Sequence, residues 1–308
     1  MTPTSAYEWA VFAVVIVVAL VLDLLVFHGK TRRRTFKLAL IETSAWIALA
    51  LVFNLWVYVA RGSQSGLEFL TGYLVEKSLS VDNIFVFLVI FRAFGLTAER
   101  QHKVLFYGVV GALVLRAAFV LAGVALLQHI HFTVYVFGAI LLLTGLNMLR
   151  TGERVIKPEQ NWLVRAVRRL IPVQSDSMAG GFLVKSDSRW NATPLLLALV
   201  AIEAMDIIFA IDSVPAVLAI TRDTFIVYSS NAFAILGLRA LYFALTDILN
   251  KLRFVHQGIA LILVFVGGKM LIGERMTISA GASLVVIAII LTVTVAASLL
   301  IPRSSVNR

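Results

Sequence analysis

Glu76-Lys77-Ser78-Leu79-Ser80-Val81-Asp82-Asn83-Ile84-Phe85 and Glu203-Ala204-Met205-Asp206-Ile207-Ile208-Phe209-Ala210-Ile211-Asp212-Ser213-Val214-Pro215 place five carboxylates inside two long apolar runs. The two stretches align: Ser80 to Phe85 matches Ala204 to Phe209, and the match continues downstream. Leu113-Val114-Leu115-Arg116-Ala117-Ala118-Phe119 pairs with Leu236-Gly237-Leu238-Arg239-Ala240-Leu241-Tyr242, and Gly145, Met148 and Leu149 pair with Gly267, Met270 and Leu271. The separation stays nearly constant, from 124 residues (Asp82 to Asp206) to 122 (Gly145 to Gly267). Residues 69–149 therefore form a three-helix unit that recurs as residues 193–273. Three is odd, so the second copy is expected to enter the bilayer from the opposite side. Inverted repeats of this kind mark secondary transporters, whose site lies near the bilayer midplane between the halves.

The surrounding composition fits a membrane protein. Of 308 residues, 60% are hydrophobic and 14% charged, against roughly 45–50% and 25% in soluble domains. A spanning helix takes about 20 apolar residues. Apolar runs near 8–27, 38–60, 69–91, 104–126, 133–149, 193–219, 225–246, 258–272 and 278–301 predict nine spans in one all-α membrane domain covering 1–308. The net charge of +10 does not point to nucleic acid, because Lys and Arg crowd onto alternate connections. Lys30, Arg32, Arg33, Arg34 and Lys37 fill the first, and eight lysines and arginines run from Arg150 to Arg189. The opposite connections carry only Arg61, Arg222, Lys269 and Arg275. The positive-inside rule then puts the N-terminus outside and the C-terminus in the cytoplasm. Met1 to Glu8 has no basic residue and Asp23 interrupts the first run, so that run reads as a retained helix rather than a signal peptide. Residues 150–192 form a cytoplasmic linker. In it Leu163, Val167 and Leu170 share one helical face and Arg165, Arg168 and Arg169 another, as in a helix lying in the interface.

Seven acids fall inside these spans: Asp23, Glu42, Glu76, Asp82, Glu203, Asp206 and Asp212. A carboxylate at mid-bilayer costs about 2.5–3.5 kcal/mol on insertion scales, so the five in spans 3 and 6 cost roughly 12–17 kcal/mol together, more than packing alone would explain. Lys77, Arg116 and Arg239 offset part of this charge, and a divalent cation or protons would neutralise the rest. Asp23 and Glu42 flank the basic block at 30–37 and can snorkel toward it. At 3.6 residues per turn, Glu76, Ser80 and Asn83 share a face of span 3, with Asp82 about 120° away. Glu203 and Asp206 share a face of span 6, and Asp212 points nearly opposite to Glu203. Two readings follow for Asp212. Pro215 cannot donate to the Ile211 carbonyl, so the helix can break there and turn Asp212 inward; alternatively Asp212 pairs with Arg239 or Arg116. The two arginines and Lys77 read as structural counter-ions or gating charges.

The donor set defines the cargo class. With no cysteine and five histidines near span ends or in loops, carboxylates supplemented by Asn83, Ser80 and Ser213 suit Mg2+, Ca2+ or Mn2+. Met205, beside Asp206, is the one soft atom near the site. It reads either as span packing or as a weak thioether preference for Mn2+. No permanent cofactor is expected. Clustered carboxylates in a low dielectric favour protonation when empty, so the same groups can alternate between metal and protons.

The two signature segments resemble those of the TerC/Alx family of bacterial membrane proteins, and the resemblance extends over nearly the whole chain. It implies a manganese exporter of the inner membrane, within the lysine-exporter-type superfamily, from a family named for an association with tellurite resistance. The family's acids, carried over by matching motif, are Glu76, Asp82, Glu203, Asp206 and Asp212. The residues themselves say only an oxygen-ligated divalent cation. An exporter of amino acids or of an oxyanion such as tellurite would use Arg116 and Arg239 as anion-binding groups. A helper that loads metal into exported proteins is a further alternative. No HExxH, no buried nucleophile with a base and no Gly-x-Gly-Asp is present, so an enzyme is not expected. Oligomeric state is not legible.

Overall fold

Apolar runs this long can sit in lipid only if their peptide groups are hydrogen-bonded internally, which a helix achieves within one segment. The computed structural model describes residues 5–28, 36–129, 132–151, 164–166, 169, 181–186, 189–246, 254–272 and 278–300. Its helices are α1 (Ala6–His28), α2 (Phe36–Arg61), α3 (Ser63–Ala93), α4 (Ala98–His129), α5 (Thr133–Thr151), α6 (Pro194–Leu218), α7 (Thr224–Leu236), α8 (Leu238–Thr246), α9 (Val255–Ile272) and α10 (Ala280–Leu300). Seven of them, α1, α2, α4, α5, α6, α9 and α10, are long and apolar enough to cross a membrane, and α7 with α8, bent by 40°, makes an eighth candidate. The 31-residue α3 carries Glu76, Lys77 and Asp82 near its middle and is less apolar for that reason. The chain is an all-α polytopic membrane protein.

Two helix boundaries depart from the sequence reading. The break expected at Pro215 is not there: α6 continues through Pro215 to Leu218. Proline interrupts a helix by removing one N–H and crowding the preceding turn, and at Pro215 the helix has only one turn left to run. The bend lies instead at Gly237, where α7 gives way to α8. Asp223 starts α7 by accepting from the backbone N–H groups of Phe225 (2.9 Å) and Ile226 (3.2 Å), a carboxylate N-cap.

The connection between α5 and α6 holds an antiparallel hairpin that the sequence reading did not foresee, β1 (Leu183–Ser186) and β2 (Arg189–Ala192). Phe182 ahead of it packs edge-on against Tyr107 of α4, 5.1 Å between centroids. Of the interfacial helix expected in 150–192, only residues 164–166 and 169 are described, and they are helical; the rest of it lies outside the described residues.

Helices α3 to α5 pack against α6 to α9 in a reciprocal pattern. α3 packs along α7 as α4 packs along α6, α3 touches α9 as α6 touches α5, and the most extensive contact joins α5 to α9. There, Gly145 lies so close to α9 that a Cβ would sit 2.7 Å from the Ala260 carbonyl oxygen and 2.9 Å from the Val264 nitrogen. Gly267 lies equally close to α5, where a Cβ would sit 2.8 Å from the Gly138 oxygen and 2.6 Å from the Leu142 nitrogen. Later residues of α5 meet earlier ones of α9, so the two helices run antiparallel. By contrast, Gly108 lies against Ile202 and Gly123 against Leu218, so α4 and α6 run in the same direction. Around this centre α1, α2 and α10 present apolar side chains outward, among them Val14, Val52, Val59 and Val293. On the inner side, Phe12, Phe53, Phe225 and Phe233 tie α1 and α2 to α7, with Phe53 and Phe233 4.6 Å apart.

Candidate functional site

Helices α3, α4, α6 and α7 meet at a guanidinium. Arg116 of α4 is 1% exposed, and each of its three nitrogens is engaged. Nη1 donates to Glu76 Oε1 of α3 (2.7 Å), to Asn231 Oδ1 of α7 (3.2 Å) and to Ser213 Oγ of α6. Nε and Nη2 grip Asp206 of α6 through both carboxylate oxygens, at 3.3 and 3.1 Å. Asn231 closes the ring by donating from Nδ2 to Glu76 Oε2 at 3.1 Å. Glu76 and Asn231 are fully buried and Asp206 is 5% exposed.

Local sequence explains the convergence. Asp206 and Ser213, seven residues apart, return to the same face of α6 after two turns. A long side chain on a helix leans toward the helix N-terminus, which carries the Arg116 fork back from its own Cα along α4. A planar fork against two carboxylates is the arrangement in which buried charges are best compensated. Two anions against one cation leave a formal charge of −1 on the cluster if all three are ionised.

Glu203 sits one turn before Asp206 and packs onto α4 at Gly111, where any Cβ would overlap its carboxylate. Its Oε2 is buried and has no hydrogen-bond partner among the described residues. Asp212 is half-buried and accepts from Thr144 Oγ1 of α5 at 3.2 Å, so Arg116 is committed to Glu76 and Asp206 rather than to Asp212. Ser80 is 1% exposed, its Oγ without a partner among the described residues, and Asn83 is buried nearby on α3. Met205, like Phe209, packs against the apolar cluster that includes Tyr242. Asp82 belongs to α3, but its side chain lies outside the described residues. Among the described residues, no three Asp, Glu or His side chains converge as a ready metal cage.

The remaining span charges have partners elsewhere. Lys77 Nζ donates to the Ala234 carbonyl at 3.2 Å, in the last turn of α7, and stands beside Gly237. A cation there meets the negative end of the half-helix where the span breaks. Asp23 does not snorkel toward the basic block as the sequence suggested; it forms a buried ion pair with Arg239, joining α1 to α8. The sequence reading missed Asn231. Its signal was Ser229-Ser230-Asn231, a polar triplet in an otherwise apolar span, all three residues buried.

Comparison with known proteins places the chain in a family. The model of the integral membrane protein TerC family matches residues 61–306. An uncharacterized membrane protein of Myxococcus xanthus is 46% identical over 295 residues, covering 96% of this chain and 92% of its own. Escherichia coli (strain K12) has a relative named as a putative membrane-bound redox modulator, Alx, 40% identical over 299 residues and covering 93% of this chain and 92% of its own. A membrane protein of Rickettsia felis is 35% identical over 293 residues, 95% of this chain and 97% of its own. No solved structure matches. The chain belongs to the TerC family of integral membrane proteins.

Proposed function

We propose that this protein is a secondary transporter that exports a divalent cation, with Mn2+ as the principal cargo, across the bacterial inner membrane in exchange for protons. The observation that carries this reading is the Glu76–Arg116–Asp206–Asn231 cluster. It holds two buried carboxylates where helices of both halves meet, and its acceptor atoms are all oxygens. Such ligands suit hard cations, and ionisable groups inside a membrane domain are expensive enough to imply an ion pathway.

The reciprocal contacts of Gly145 and Gly267 support an inverted repeat, 69–149 and 193–273, since equivalent helices of the two copies run antiparallel there. On this reading α3 counts as a ninth span, the N-terminus faces outward and the C-terminus the cytoplasm. Of the acids, Glu76 and Asp206 would take the metal, with Asp82, Glu203 and Asp212 as further ligands or proton carriers. Ser80, Asn83 and Met205 would be accessory.

The oxyanion alternative fits less well, because Arg116 is already saturated by two carboxylates. A redox role through thiols has no group to carry it, the chain having no cysteine. Mn2+ flux into proteoliposomes made from this chain alone tests the proposal. Flux above that of empty liposomes, abolished by Asp206→Asn, is the expected result; no flux from correctly inserted protein favours a helper role in metal loading.

A further inference from the structure

We infer that Arg116 is a tethered competitor for the transported cation: its guanidinium occupies Glu76 and Asp206 in the empty site and must withdraw for the metal to bind there. The inference rests on the cation-transport reading of the same site. Its basis is occupancy. Every described polar contact of the fork is made to Glu76 and Asp206, the two carboxylates proposed to take the metal, or to the neighbouring oxygens of Ser213 and Asn231. The nitrogens stand 2.7–3.3 Å from Glu76 Oε1 and from both oxygens of Asp206, and so fill the space that a cation bridging the two carboxylates would need. The residues around the fork also leave it somewhere to go. Glu203, one turn along α6, offers a buried carboxylate oxygen with no hydrogen-bond partner among the described residues, beside Gly111 on Arg116's own helix.

The consequence is functional. An empty carrier with two unpaired buried carboxylates would be costly to reorient; with Arg116 in place the pair is compensated and the empty form is stable. Cation binding and guanidinium binding are then alternatives on one pair of oxygens, and metal affinity is set by the difference between them.

Two substitutions that leave the net charge unchanged separate occupancy from simple repulsion. Arg116→Lys keeps the positive charge but loses the planar fork. Ser213→Ala removes one acceptor that holds Nη1. Mn2+ affinity is measured on the purified full chain in detergent, alongside turnover in proteoliposomes. A competitor whose hold is loosened predicts Mn2+ binding about tenfold to a hundredfold tighter in both variants, the scale of one hydrogen bond to a charged group, together with slower turnover. A structural ion pair would leave affinity unchanged, and a metal-ligating Ser213 would make Ser213→Ala bind more weakly. Either variant, correctly folded, binding Mn2+ with wild-type or weaker affinity overturns the inference; if one variant does not fold, the other decides. A wild-type chain that neither binds nor moves Mn2+ refutes the transport reading and the inference with it.

Discussion

Asp23 on α1 and Arg239 on α8 form a buried ion pair, so the first helix is fastened to the bent α7–α8 pair. Removing one partner of a buried pair costs about 3–5 kcal/mol because the other charge stays buried. Asp23→Asn should therefore lower the thermal midpoint of the detergent-purified protein and its yield, while flux per correctly inserted molecule stays close to wild type. A large loss of specific flux with unchanged midpoint would instead place Asp23 in the ion pathway.

Glu76→Gln and Asp206→Asn should each reduce Mn2+ flux to background, since each removes an anionic oxygen that Arg116 now holds. Asp206→Asn should be the more destabilising of the two, because Asp206 takes two nitrogens of the fork and Glu76 one. Thermal midpoints of the two variants, measured beside flux, check both statements.

The α5–α9 contact offers a test of the repeat that needs no substrate. Gly145→Leu and Gly267→Leu each push a side chain into the opposite helix's backbone, and overpacking typically costs about 1–3 kcal/mol. The reciprocal contact predicts similar losses of stability in the two variants. Gly268→Leu, where no atom lies within 4 Å of a Cβ, should be near neutral. Unequal effects at Gly145 and Gly267 would argue against reciprocal packing.

Orientation can be checked with thiol reagents, because the chain has no cysteine of its own. Ser63→Cys, where α2 gives way to α3, and Thr97→Cys, between α3 and α4, alter two exposed positions. A membrane-impermeant maleimide added to intact cells should label the Ser63→Cys protein and spare the Thr97→Cys protein. The reverse pattern would invert the assigned topology.

What was legible in the sequence follows from what a helix wheel can hold. Intramembrane Glu76 and Asp206 stood out because charge in an apolar run is costly wherever it points. Contacts between helices were not legible. Nothing along α4 says that Arg116 bridges α3 to α6, and Asp23 lay nearer in sequence to the basic block than to its partner Arg239. The bend between α7 and α8 escaped because a glycine such as Gly237 reads equally well as close packing, whereas Pro215 announces a break that the end of α6 absorbs. Asn231 escaped because an amide carries no charge to betray it.

Moving a divalent cation outward against an inside-negative potential costs about 2.3 kcal/mol per charge per 100 mV, hence roughly 4.6 kcal/mol for two charges. No Gly-x-x-x-x-Gly-Lys-Ser/Thr loop is present in the chain, so nucleotide hydrolysis by this protein is not the expected source. Protons entering down their gradient can supply it, two per metal making the exchange electroneutral and more making it voltage-driven. Glu203 is the carboxylate best placed to carry one, with a buried oxygen left without a hydrogen-bond partner among the described residues one turn from Asp206. In inverted vesicles with an acidic interior, Mn2+ should therefore accumulate in the lumen as the proton gradient runs down. Glu203→Gln should still bind Mn2+ yet lose the acceleration that the gradient provides. If a protonophore leaves the rate and extent of wild-type uptake unchanged with no other ion gradient present, proton exchange is wrong and a uniporter or another coupling ion must replace it.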